Sequence, residues 1–157
     1  MRVPVLPLLS LFAAMPAAAA PQGLGAFGSW GAFRDGGRCY AIAQPAQAPQ
    51  GAQSFASVGV WPGRGSQLNI RLSREKREGS AVLLRIDGRT FQLLSGARDA
   101  WAPDPRADAE IQAAMRTGVD MVVETRAAGG ALVRDQYALH GAATAMDAAA
   151  IACAPRR

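Results

Sequence analysis

The sequence predicts a mainly β domain, two packed antiparallel sheets with one or two short helices. Two observations lead there. Short apolar runs separated by glycine turns fill the first two thirds of the chain, and no regular alternation of strand and helix signals a parallel sheet. A capped, amphipathic stretch then stands alone near residue 105.

The clearest hairpin turns at Asp87-Gly88. A two-residue turn there sets Ile86 opposite Arg89, Leu84 opposite Phe91 and Val82 opposite Leu93, so one face is almost wholly apolar. A second hairpin is expected at Gly36-Gly37, pairing Asp35 with Arg38 and Phe33 with Tyr40. A third turns near Gly129-Gly130, between 119–126 and 132–139. Its register stays open, because a one-residue slip exchanges which of Glu124 and Asp135 lies beside apolar neighbours.

Further strands are expected over 56–61 and over 68–74, where Leu68, Ile70 and Leu72 alternate with Asn69, Arg71 and Ser73. That brings the strand count to roughly seven or eight, enough for a sandwich. Residues 44–53 are polar and proline-bearing, without periodicity, and form a loop inside one domain.

Asp104 suits a helix N-cap, Pro105 the first helical position and Gly118 the end, with Ala107, Ile111, Ala114 and Met115 on one stripe. A second helix is expected over 142–152, which would carry Cys153 back toward the hairpin that holds Cys39.

The first twenty residues have a different character. Met1-Arg2 gives a short positive end, 3–14 is apolar, and the small residues up to Ala20 suit signal cleavage after Ala18, Ala19 or Ala20. Residues 1–20 are therefore expected to be an export signal and 21–157 a single domain. The apolar run is shorter than the ~20 residues that span a bilayer. Removing twenty residues from 157 leaves about 137, and the loss of Arg2 takes the formal charge from +5 to near +4. In an oxidising compartment Cys39 and Cys153 can pair; the alternative is two free, reactive thiols. Pairing would close a loop of about 115 residues, which in the chain-entropy model constrains the unfolded chain by ~4–5 kcal/mol.

Chemistry-bearing patterns are few. His140 is the only histidine and, beside Gly141, suits a turn better than a general base. Metalloprotease, nucleophile-elbow, dithiol and phosphate-loop motifs are missing from the sequence, as is a calcium loop, so neither cofactor nor metal is expected. Sixteen of the 17 basic residues are arginines scattered along the chain, which gives no reason to expect a nucleic-acid partner. Arg71, Arg74, Lys76 and Arg77 surround a loop that also holds Glu75 and Glu78; they could meet an acidic partner or form a solvated tip. Trp30, Trp61 and Trp101 could line a ligand groove or mark a partner interface; Trp30, inside a strand, suits core packing, and Trp101, just before the helix, stands out.

Taken in order, several segments resemble the invasion-associated locus B family of exported alphaproteobacterial proteins. They are Trp30, the run Cys39-Tyr40-Ala41-Ile42-Ala43-Gln44, the turn Ile86-Asp87-Gly88, Met115-Arg116-Thr117-Gly118, and the closing segment from Tyr137 to Asp147. The resemblance implies an immunoglobulin-like β-sandwich that is periplasmic, surface-associated or secreted. It implies no enzyme, and no catalytic residues carry over. Members of the family have cysteines just before the helix, where this chain has Ala97-Arg98-Asp99-Ala100-Trp101-Ala102. A bridge at that place is absent.

The expected function is therefore non-enzymatic binding of an envelope or host-surface component, with Trp101, Arg98, Arg71, Arg74 and Arg77 as candidate contacts. The alternatives are a small periplasmic enzyme or enzyme inhibitor, using Asp99 or Asp104 with Arg98 or Arg106, and a structural envelope component.

Overall fold

The computed structural model describes residues 19–155. The expected export signal falls mostly on 1–18, outside the described residues. Ten strands follow: β1 (Gln22–Phe27), β2 (Trp30–Asp35), β3 (Arg38–Ala43), β4 (Phe55–Trp61), β5 (Gly65–Arg71), β6 (Val82–Ile86), β7 (Arg89–Ser95), β8 (Asp99–Trp101), β9 (Asp120–Arg126) and β10 (Leu132–Ala138). Helix α1 (Pro105–Thr117) joins β8 to β9, and α2 (Ala142–Ala152) closes the chain. All pairings are antiparallel, in the order β1-β2-β3-β4-β5-β8-β7-β6-β9-β10.

The mainly β expectation is met, with the two layers linked in one hydrogen-bonded order. The two ends of that order approach each other. The Trp30 indole N–H donates to the Ala138 carbonyl at 3.0 Å, the Ala46 N–H to Gln136 at 2.7 Å, and the Ser73 N–H to the buried Asp135 carboxylate at 2.9 Å. Strand β10 is thereby brought back over the first layer, and the core lies between them, built from Trp30, Leu68, Ile70, Leu84, Ile86, Met121 and Tyr137 among others.

The local turn signals set their registers as expected. Ile86 pairs with Arg89, Leu84 with Phe91 and Val82 with Leu93; Asp35 pairs with Arg38 and Phe33 with Tyr40. Asp87 at φ 44° and Gly88 at φ 86° place two consecutive residues in the left-handed region, the conformation that suits a two-residue hairpin. The Asp87 carboxylate also accepts the N–H groups of Val119 and Asp120, tying this turn to the start of β9.

The open register of the third hairpin resolves with Asp135 opposite Val123 and Glu124 opposite Arg134. Asp135 points inward, where the Ser73 N–H satisfies it, and Glu124 points outward between Arg85 and Arg134 at 3.1 and 3.0 Å. Strand β5 starts and ends three residues earlier than expected, and β1 and β8 are additional strands. The β5–β6 connection is more than a solvated tip, because backbone bonds link Lys76 to Ala97, Arg77 to Arg126 and Ala128 to Glu75.

Both helices form as expected. Asp104 caps α1 by accepting the Ala107 N–H at 2.8 Å. Gly118 ends it in extended backbone, at φ −78°, so its lack of a side chain serves close packing; a Cβ there would lie 2.7 Å from Ile86 and 2.9 Å from Leu139. Helix α2 presents Ala142, Ala145 and Ala149 to the core, and the inner face of β2–β4 offers Ala32, Ala41, Ala43 and Ala56. Small residues on both surfaces let helix and sheet approach closely. Cys153, at the end of α2, is bonded to Cys39 of β3, with Cα atoms 5.7 Å apart. The Arg34 guanidinium adds a bond to the Ala152 carbonyl.

Candidate functional site

A groove of about 730 Å³ is bordered by Trp61 and Arg64 at the β4–β5 turn, Gln67 on β5, Trp101 on β8, and Asp104 and Asp108 at the start of α1. Register explains the convergence. Ala56 and Val58 of β4, Leu68 and Ile70 of β5 and Ala100 of β8 face the core, so Gly59, Trp61, Gln67, Asn69 and Trp101 face outward. Gly59 pairs with Gln67, and Asn69 pairs with both Ser57 and Trp101.

Gly59 shapes the floor. A Cβ at Gly59 would fall 2.7 Å from the Trp61 ring, so the indole folds back along its own strand over the bare backbone. Opposite Trp101 on β7 stands Leu94, 49% exposed. Trp61 and Trp101 are half-buried, whereas Trp30 is 1% exposed and belongs to the core.

Polar groups form the other border. Asp108 is 5% exposed; its carboxylate accepts the Leu68 N–H at 3.0 Å and the Gln112 amide at 3.2 Å. Burial pushes the Asp108 carboxyl above the ordinary range, and the bonds from Leu68 and Gln112 partly offset this. Asp104 is committed to its cap through one oxygen. The exposed side chains of Arg64 and Gln67 bond no other described residue.

The arginines expected to join Trp101 are divided. Arg71 lies on the same outward face as Asn69 and forms a two-pronged ion pair with Asp99, both distances 3.0 Å, while its guanidinium sits 5.9 Å from the Phe55 ring centre. Arg74 and Arg98 line a different depression, with Glu75 and the 127–129 turn. Arg77 borders a third, beside Lys76 and Gly96. Their common neighbourhood is the β5–β6 and β9–β10 connections, so Trp101 shares its site with Arg64 in place of Arg98.

The carboxylate–arginine arrangement behind the enzyme alternative is dispersed as well. Asp99 is held by Arg71, and Arg106 pairs along the helix with Glu110 at 3.1 Å. His140 is exposed, and its carbonyl accepts the Ser29 N–H at the β1–β2 turn. Among the described residues no cluster of three or more metal-ligating side chains occurs, and no helix is long and apolar enough to cross a membrane.

Of the three tryptophans that the sequence offered for a ligand groove, Trp61 and Trp101 do line one and Trp30 does not; what sequence reasoning missed are Arg64 and Gln67 beside them. One local signal was available: Gly59 stands two residues before Trp61, hence on the same strand face, where a large ring can lie over it.

No family model matches the chain, and no curated protein sequence matches it. Among solved structures, it is similar to invasion associated protein B from Bartonella henselae, with a TM-score of 0.62 and 16% identity over 82% of this chain and 94% of that one. The likeness is one of fold, and it agrees with the resemblance noted in the sequence.

Proposed function

We propose that this chain is an exported, non-enzymatic protein of the invasion-associated locus B type, and that it binds an envelope or host-surface component in the Trp61–Trp101 groove. The groove carries this proposal: two half-buried indoles and two uncommitted polar side chains converge on an outward sheet face. Half-exposed aromatic area of this kind is what a binding surface uses and a core does not need. The fold shared with invasion associated protein B supports the family assignment. The N-terminal segment and the Cys39–Cys153 bond suit export to the periplasm, the cell surface or the medium. A non-enzymatic role accords with carboxylates that are already engaged, Asp99 by Arg71, Asp104 by the helix end and Asp108 by Leu68 and Gln112.

Cell fractionation and photo-crosslinking test the two parts. The full chain is expected in the periplasmic or extracellular fraction, shortened at its N-terminus, while a chain lacking residues 2–20 stays inside. A photo-crosslinking residue at Gln67 is expected to give adducts with envelope or host-membrane fractions, and one at the exposed Gln136 on β10 none. Equal labelling at both positions would overturn the groove.

A further inference from the structure

We propose that the ligand of the Trp61–Trp101 groove is a neutral oligosaccharide, an inference that rests on the binding role proposed above and names its chemical class. A pyranose ring has an apolar C–H face and an edge of hydroxyl groups. It therefore suits a site that combines exposed aromatic faces with planar donors and acceptors. Trp61, folded back over Gly59, and Trp101 supply aromatic surface, and Leu94 opposite Trp101 extends the apolar strip.

Arg64 and Gln67 supply donors and an acceptor, and neither is tied to another described residue. Asp104 adds a carboxylate at the rim, where one oxygen is occupied by the Ala107 N–H. Vicinal hydroxyls match such forked groups, since each hydroxyl both donates and accepts.

Charge narrows the class. Arg64 and the Asp104 carboxylate bring opposite signs to the open part of the groove, while the buried Asp108 carboxylate is already satisfied by Leu68 and Gln112, so a strongly anionic or cationic ligand gains attraction from one exposed charge and repulsion from the other. An apolar helix or peptide would desolvate both charges without replacing their hydrogen bonds. A neutral polyhydroxyl ligand satisfies them. A volume of about 730 Å³ also falls within the range of small-ligand sites.

The test is a tryptophan-fluorescence titration of the exported chain with N-acetylglucosamine tetramer and, separately, maltotetraose. Trp30 is buried, so Trp61 and Trp101 carry the change. At least one sugar is expected to give a saturable response with a Kd at or below about 1 mM. Trp61→Ala and Trp101→Ala are each expected to weaken binding about tenfold, and Leu132→Ser, on the remote strand β10, to leave it unchanged. Should either tryptophan variant fail to fold, Arg64→Ala and Gln67→Ala provide the same comparison with both fluorophores in place. No saturable response to either sugar overturns the saccharide, as does binding that none of these variants weakens. If Gln67 nevertheless crosslinks to an envelope protein, the groove reading survives and only the ligand class falls. If neither sugar nor crosslink appears, both fall.

Discussion

The molecule treats its two ends differently. At the β1–β4 end, α2 lies against a sheet surface of alanines, a disulfide fastens its last turn and the Arg34 guanidinium holds the same turn through Ala152. At the β4–β5–β8 end, α1 is held at its start by a cap and by Asp108, and the adjoining sheet face leaves Trp61, Trp101 and Leu94 in contact with solvent. The first end turns most of its apolar surface inward, Ile151 on the outer side of α2 excepted; the second leaves two indoles and Leu94 open on one sheet face. On the proposed reading, stability and recognition are carried by separate regions, and variants should separate them.

The largest expected effect is at the closed end. Replacing both Cys39 and Cys153 by serine should cost ~4–5 kcal/mol, measured by denaturant unfolding, while the fraction that remains folded keeps the binding proposed for the groove end. A loss below about 1 kcal/mol would show that α2 holds by packing alone.

Next is Gly141→Ala, just before α2. Gly141 has φ 89°, and an added Cβ would fall 1.8 Å from the Phe27 carbonyl oxygen, so backbone must move. The expected cost is about 3 kcal/mol, read from the midpoint of unfolding, and a neutral result would mean that the β1–β2 turn yields easily.

A smaller effect belongs to the open end. Asp104→Ala removes the cap and should cost about 1 kcal/mol, with hydrogen exchange rising in the first turn of α1 and not in α2.

The smallest is the pH dependence of Asp108. Its folded pKa is raised above 3.8 by burial, so the folded state binds this proton more tightly than the unfolded chain does. The stability it contributes is present below 3.8 and declines as pH rises through the folded pKa. Asp108→Asn removes that titration. Relative to its parent, the variant should be more stable at neutral pH than at acid pH, and equal differences at both would contradict the assignment.

Local chemistry made much of the fold legible. Asp87-Gly88 and Gly36-Gly37 each specify a two-residue turn, and the turn dictates every pair in its hairpin. Asp104, Pro105 and Gly118 mark α1 by the chemistry of its ends. Strand β1 was not legible, because Gln22–Phe27 has two glycines and largely exposed faces, which leaves no alternation to detect. Strand β8 has only three residues, and it exists because β5 and β7 flank it. The register of β9 and β10 depended on Ser73, which meets Asp135 from 62 residues away.

The site followed the same division. Trp101 was conspicuous beside the helix start, but its partners arrive from the β4–β5 turn and depend on long-range pairing between β5 and β8. Arg71 does share the outer face with Trp101, whereas Arg74, Arg77 and Arg98 belong to the far connections, an assignment that sequence distance cannot make.

The most direct measurement is saturable binding of the labelled, exported chain to washed envelope or host-cell membranes, comparing Trp61→Ala/Trp101→Ala with Arg74→Ala/Arg98→Ala. With unfolding midpoints of both variants close to the parent's, the tryptophan pair should weaken binding at least tenfold, and the arginine pair should leave it near the parental value. Undiminished binding by the tryptophan variant, or loss confined to the arginine variant, would contradict the assignment of recognition to the open end.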